Sequence, residues 1–226
     1  MRHAALCSFL LFAADPYLKA RLSMVQENLE SRGIRDRRVL EAIRTTPRHE
    51  YVPPELRAHA YEDRPLPIGY NQTISQPYIV GLMTQLLETQ PANSVLEIGT
   101  GSGYQAAVLS KLAKHVYSIE IVPELAASSA KTLLRTGCRN VTVRYGDGYK
   151  GWPEQAPFDR IILTAAPPEI PPALIDQLKP GGKLVAPEGD REQLLMAIEK
   201  SASGQISKRS VIPVIFVPMV RGTSDK

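Results

Sequence analysis

Between Ser94 and Ala186, short apolar runs alternate with segments of helical period. Ser94-Val95-Leu96-Glu97-Ile98, Val116 to Ile121, Val141 to Tyr145, Arg160 to Thr164 and Lys183 to Ala186 read as short buried strands. Among them, Pro123 to Arg135 and Pro172 to Leu178 read as helices opened by proline in the first turn, the second closed by Lys179-Pro180-Gly181-Gly182. Strands that are apolar on both faces need cover on both faces. The fold class expected is therefore α/β, with a doubly wound, mostly parallel sheet. After Ala186 the pattern changes. Leu194 to Ile198 and Ser210 to Val217 have no helix between them and join through Ser203-Gly204, which predicts an antiparallel pair at the C-terminal sheet edge.

Upstream, apolar positions recur at helical intervals, first Leu18, Leu22, Val25 and Leu29, then Val39, Leu40 and Ile43. Ser31-Arg32-Gly33 divides them into two amphipathic N-terminal helices. Pro47 to Pro54 and Asp63 to Asn71, the latter with Pro65, Pro67 and Gly69, read as irregular segments of the kind that shape a site. Gln76 to Leu87 is a helix with Ile79, Val80, Met83, Leu86 and Leu87 on one face. The resulting organisation is a single domain over 17–226, preceded by an extension at 1–16. Within it, 17–90 is helical and loop-rich, 91–190 is the sheet core, and 191–226 holds the antiparallel strands.

Composition narrows the function classes. A formal charge of +4, with basic residues spread along the chain, supplies no clustered patch for nucleic acid. Cys7 and Cys138 lie too far apart for a metal or redox motif and exclude a disulfide framework. His3, His49, His59 and His115 show no ligand spacing either, so no metal is expected. Met1-Arg2-His3 followed by the apolar Ala4 to Ala14 has the order of a secretory signal. Cleavage after Ala13 or Ala14, however, would put Leu11 or Phe12 where a small residue is required, and the stretch is too short to span a bilayer. An upstream extension or short packed helix, and a cytoplasmic location without membrane contact, are expected; export is the alternative.

The chemistry concentrates after the first strand of the alternating region. Gly99-Thr100-Gly101-Ser102-Gly103 breaks that strand into a glycine turn and opens a helix, the arrangement of a nucleotide-type cofactor site. A dinucleotide fingerprint needs its third glycine one residue later, where Tyr104 stands. Glu120 ends the next strand and is placed to accept from both hydroxyls of a ribose, or else to start the helix at Pro123. Asp147 in Gly146-Asp147-Gly148 ends the third strand, as an acceptor for an adenine amino group or as plain turn chemistry, with Gly148 letting a ring lie against the backbone. With Glu97 ahead of it, the glycine turn resembles the first motif of Rossmann-like S-adenosylmethionine methyltransferases.

A more specific resemblance lies further on. Gly146 to Ile161, with its Gly-Asp-Gly, Gly-Trp and Ala-Pro-Phe-Asp elements, resembles the signature segment of the protein-L-isoaspartate O-methyltransferases. Gln72-Thr73-Ile74-Ser75-Gln76-Pro77, Arg48-His49-Glu50-Tyr51-Val52-Pro53 and Leu178 to Gly182 are similar to further segments of that family, and the likeness runs from Met24 to Met219. The resemblance implies methyl transfer from S-adenosyl-L-methionine to the free α-carboxylate of L-isoaspartyl residues in age-damaged proteins and peptides. The ester then closes to a succinimide, part of which reopens to normal aspartate. It also implies Glu97, Gly99, Gly101, Gly103, Glu120, Asp147 and Gly148 as cofactor-binding residues. Ser75 is implied as catalytic, and Thr73, Ile74, Ser75, Val214 and Val217 as substrate-binding. Separately from the resemblance, a monomer is expected.

Read from the residues alone, Ser75 also sits where a helix N-cap belongs. No acid–base dyad stands out, and none is needed, because a carboxylate with a reference pKa of roughly 3.9 is already ionised at neutral pH. Two other functions fit the glycine turn: methylation of another carboxylate or a small molecule, and a non-catalytic module that binds S-adenosylmethionine.

Overall fold

The computed structural model describes residues 15–222. The apolar stretch Ala4 to Ala14, and with it the choice between extension and signal, lies outside the described residues, as does Cys7. The first helix, α1 (Leu18–Met24), widens into a π turn over Val25–Leu29 and tightens into a 3-10 turn over Glu30–Arg32. Gly33 ends it in the left-handed conformation at φ 95°. The second, α2 (Arg37–Arg44), starts at Asp36, whose carboxylate accepts from the N–H groups of Arg38 and Val39 and turns Val39, Leu40, Ala42 and Ile43 inward.

The segment Asp63 to Asn71, expected to be irregular, contains most of a small hairpin. Strand β1 (Leu66–Gly69) pairs antiparallel with β2 (Gln72–Ile74). Tyr70 and Asn71 make the turn, both at positive φ (53° and 56°). Pro67 argues against a strand in sequence, but a two-stranded ribbon has a free edge where proline costs no ladder bond. The chain then enters α3 (Pro77–Leu87).

The alternating region follows as β3 (Ser94–Ile98), α4 (Tyr104–Ser110), β4 (His115–Glu120), α5 (Pro123–Arg135), β5 (Val141–Tyr145), β6 (Phe158–Leu163), α6 (Pro172–Asp176), β7 (Leu178–Glu188), β8 (Gln193–Lys200) and β9 (Ile206–Val214). These strands form a seven-stranded sheet in the order β5-β4-β3-β6-β7-β8-β9. Pairs from β5 through β7 are parallel, while β8 and β9 add antiparallel. The Rossmann-like expectation and its antiparallel edge are both met. Two boundaries differ. Lys179 to Gly182 does not simply close a helix but lies inside β7, because Leu178 already pairs with Phe158 across a register shift. The last strand ends at Val214, so Val217 lies beyond it.

Alternate residues of β3 show why the sheet needs two covers. Val95 packs into a core with Val80, Met83 and Val108 on one face, and Leu96 into a core with Phe158, Leu163 and Leu184 on the other. The chain runs from β3 to β4 on one side, and β6 returns on the other. The carboxyl ends of β3 and β6 therefore flank a crevice at the point where strand order reverses, which is where open α/β sheets bind ligands.

Candidate active site

The glycine turn fills that crevice. Gly99, Gly101 and Gly103 have φ of 96°, 51° and 88°, a region closed to most side chains. A Cβ on Gly99 would fall 2.4 Å from Oγ1 of Thr164, so that position is closed sterically as well. Behind the turn, Thr100 Oγ1 and Ser118 Oγ are 2.6 Å apart, and Ser118 donates to the carboxylate of Glu97. Burial pushes Glu97 up to about 8; the hydrogen bond from Ser118 offsets part of that rise and the nearby Glu120 adds to it.

Glu97 lies on none of the cleft's walls, contrary to its reading as a direct cofactor ligand. Strand alternation is the reason. Ile98 faces the cleft, so its neighbour faces away and supports the turn from behind. Glu120 does reach the cleft wall. Its Oε2 accepts from the N–H of Gly101 at 2.7 Å and its Oε1 from Val122 at 3.0 Å, which fixes the carboxylate and leaves further lone pairs.

Asp147 behaves first as turn chemistry. Its Oδ1 accepts from the N–H of Tyr149 at 2.9 Å, capping a 3-10 turn over Gly148–Lys150. Its Oδ2 has no protein partner among the described residues, and the residue on the cleft wall is Gly148. A Cβ there would meet Cγ2 of Ile98 at 2.3 Å, so close packing against β3 demands glycine whatever lies in the cleft.

Ser75 is not the cap of α3. Gln76 holds the N-cap position without a capping side-chain bond, and Pro77 opens the helix. The cap comes from Asp63, whose Oδ1 accepts from the N–H of Tyr78 at 2.9 Å. Its Oδ2 accepts from Nε2 of Gln76 at 2.7 Å and pairs with Arg32 at 2.6 Å. The Ser75 hydroxyl makes no hydrogen bond to the described residues and stands on the wall of the cleft.

Two concavities meet there. The first, about 790 Å³ including its open mouth, runs along the glycine turn past Ile74, Glu120 and Gly148. The second is walled by Pro65, Ile79, Pro213, Val214, Ile215 and Phe216. They share Thr73, Ser75, Thr164 and Val217, a junction with hydroxyls and no charged side chain. Val217 to Val220 close the first cleft as a strap. Ala166 N–H donates to Val217 O at 2.9 Å, Met219 N–H to Ala166 O at 2.8 Å, and the Tyr149 hydroxyl to Met219 O at 3.1 Å. Every candidate but Glu97 and Asp147 thus belongs to these walls or to the turn itself.

Three parts went unread in sequence: Thr164, the Asp63 cap and the strap. Thr164 carried a signal, as a hydroxyl just past the carboxyl end of a strand beside the switch point. Among the described residues no cluster of His, Cys, Asp and Glu is placed to hold a metal, and no helix is long and apolar enough to cross a membrane.

Residues 20–224 match the family model of the protein-L-isoaspartate(D-aspartate) O-methyltransferases. A curated relative from Synechococcus, named protein-L-isoaspartate O-methyltransferase, is 55% identical over 216 residues, covering 92% of this chain and 88% of its own. A solved protein-L-isoaspartate O-methyltransferase superposes with a TM-score of 0.79 at 28% identity, over 88% of this chain and 65% of that one. A structure from Plasmodium falciparum, described as a protein-L-isoaspartate O-methyltransferase in complex with S-adenosyl-L-homocysteine, gives 0.77 at 27% identity, over 88% of this chain and 98% of its own.

Proposed function

The chain belongs to the protein-L-isoaspartate(D-aspartate) O-methyltransferase family, and from that premise we propose that it methylates the free α-carboxylate of L-isoaspartyl residues, with S-adenosyl-L-methionine as donor. The observation that carries this reading is the junction of two clefts at Thr73, Ser75 and Thr164, one running along the glycine turn and the other walled mainly by apolar side chains. The residues present suit that donor. Glycines at positive φ bring backbone close to it, Glu120 offers fixed acceptors to ribose hydroxyls, and the unused Oδ2 of Asp147 offers one to an adenine amino group. Gly148 forms part of the floor. When bound, S-adenosylmethionine supplies an electrophilic methyl group on a sulfonium centre.

The protein's own task is then positional. In this reading Ser75 donates its hydroxyl hydrogen to the substrate carboxylate, which is already ionised at neutral pH and needs no general base. Thr73, Ile74, Val214 and Val217 hold the segment around it. Transfer forms a carbon–oxygen bond as the carbon–sulfur bond breaks, and two opposite charges disappear together. A junction without charged side chains suits such a step, because it removes water from the carboxylate without replacing it by a fixed counter-ion.

The same reading takes 17–226 as one domain. It acts as a monomer in the cytoplasm on age-damaged proteins and peptides, with neither nucleic acid nor membrane as partner. The test is repair itself. An isoaspartyl peptide incubated with the protein and S-adenosylmethionine should pass through succinimide to its aspartyl form on chromatography. A peptide that persists unmethylated overturns the proposal.

A further inference from the structure

Of the three hydroxyls at the junction of the two clefts, those of Ser75 and Thr164 are not equivalent. That of Ser75 donates to no described protein group, so its hydrogen is available to a ligand. That of Thr164 is committed. Thr164 Oγ1 lies 3.1 Å from the carbonyl oxygen of Ile98 and 2.5 Å from that of Gly99, both of which can only accept. Its one hydrogen therefore points at the backbone, and toward any ligand its oxygen can only accept. Its position is fixed at the start of the turn. The N–H of Thr164 donates to Ile98 O at 2.9 Å, and the missing Cβ of Gly99 leaves the space in which Oγ1 sits.

We propose that Thr164 orients the transferable methyl group, its Oγ1 accepting from the polarised C–H bonds next to the sulfonium, while Ser75 donates to the incoming carboxylate. The chemistry divides the two hydroxyls by charge. A methyl group on positive sulfur carries positive charge on its hydrogens, so it is attracted by an oxygen that has no hydrogen to present and repelled by one that does. An anionic nucleophile has the opposite requirement, which the free hydroxyl of Ser75 meets. No sequence motif marks this assignment; it follows from where the single hydrogen of Thr164 is spent.

This inference rests on the cofactor lying along the glycine turn, as proposed above, and the test separates the two. S-adenosylmethionine and S-adenosylhomocysteine, which lacks the methyl group and the positive charge, are titrated by calorimetry into the wild type, Thr164→Ala and Thr164→Ser. Thr164→Ala is expected to lose about two- to fivefold in affinity for S-adenosylmethionine relative to S-adenosylhomocysteine, the size of a weak C–H···O contact. Thr164→Ser keeps the oxygen and is expected to keep the wild-type ratio. Thr164→Val, with the branched shape but no oxygen, carries the same prediction as alanine should the latter not fold. Equal losses for both ligands would leave Thr164 a prop for the turn and overturn the proposal, as would a serine variant whose ratio falls as far as that of alanine. A wild type that binds neither ligand contradicts the cofactor reading and this inference with it.

Discussion

Asp63, and not Ser75, caps α3. The helix that begins at Pro77 needs its first N–H groups satisfied, and a carboxylate from a preceding loop does that work, leaving the serine beside it without a partner in the protein. The residues alone favour Ser75 as a cap and only the family resemblance favours it as a site residue, because the cap that displaces it comes from outside the helix's own flank. Ser75→Ala is therefore expected to slow methyl transfer by about 10- to 100-fold, the value of a hydrogen bond to a charged group. Its melting temperature and its affinity for S-adenosylhomocysteine should stay at wild-type values. A fall in melting temperature would make it a structural residue.

Glu97 shows the opposite case, where a motif position reads as a ligand and the pleat turns it away. Its carboxyl ionises near 4.5 in the unfolded chain and is pushed up to about 8 in the folded one. Below the lower value both states hold the proton; between the two, only the folded state does, so stability from this group is lost as pH rises toward about 8. Glu97→Gln has no such titration. Thermal melts from about pH 5 to pH 8 should show the wild type losing more melting temperature than the glutamine variant. Parallel slopes would contradict the buried, protonated state.

Elements set what those residues can reach. The start of α3 depends on one distant cap, so Asp63→Ala is expected to lower stability by about 1–2 kcal/mol in denaturant titrations and to weaken activity through the Ser75 segment. An unchanged midpoint would mean that Asp63 does not hold the helix. The strap depends on few bonds to Ala166 and Tyr149, while the sheet ends before it at Val214. A chain ending at Phe216 should keep its far-ultraviolet circular dichroism and lose affinity for S-adenosylhomocysteine, since Val217 to Val220 wall the cleft. Retained affinity would remove the strap from the site.

Strands β3, β4 and β6 were legible because their apolar runs are short, bounded and largely buried, whereas β5 proves to be an edge strand with no fully buried residue. The hairpin was not, because Pro67 and Gly69 look like loop chemistry until β1 and β2 are seen to pair. Nor was the strap, whose Val217 continues an apolar pattern after the sheet has ended.

At the scale of the whole molecule, the reversal of strand order between β3 and β6 is what brings separate signals together. Gly99, Glu120 and Gly148 stand at or beyond the ends of three different strands yet line one cleft. The donor side was readable because each of these stands just beyond or at a strand's carboxyl end, where an α/β sheet binds ligands. The acceptor side was readable only through family likeness. Its walls come from a hairpin, a helix start, the end of β9 and the segment after it, which no local pattern connects.

The central claim is that this junction recognises an isoaspartyl carboxylate, and a pair of peptides differing only in that linkage tests it. With S-adenosylmethionine carrying a labelled methyl group, the account predicts base-labile label on the isoaspartyl peptide and none on its normal aspartyl twin. Equal labelling of the two, or label on neither, would contradict it.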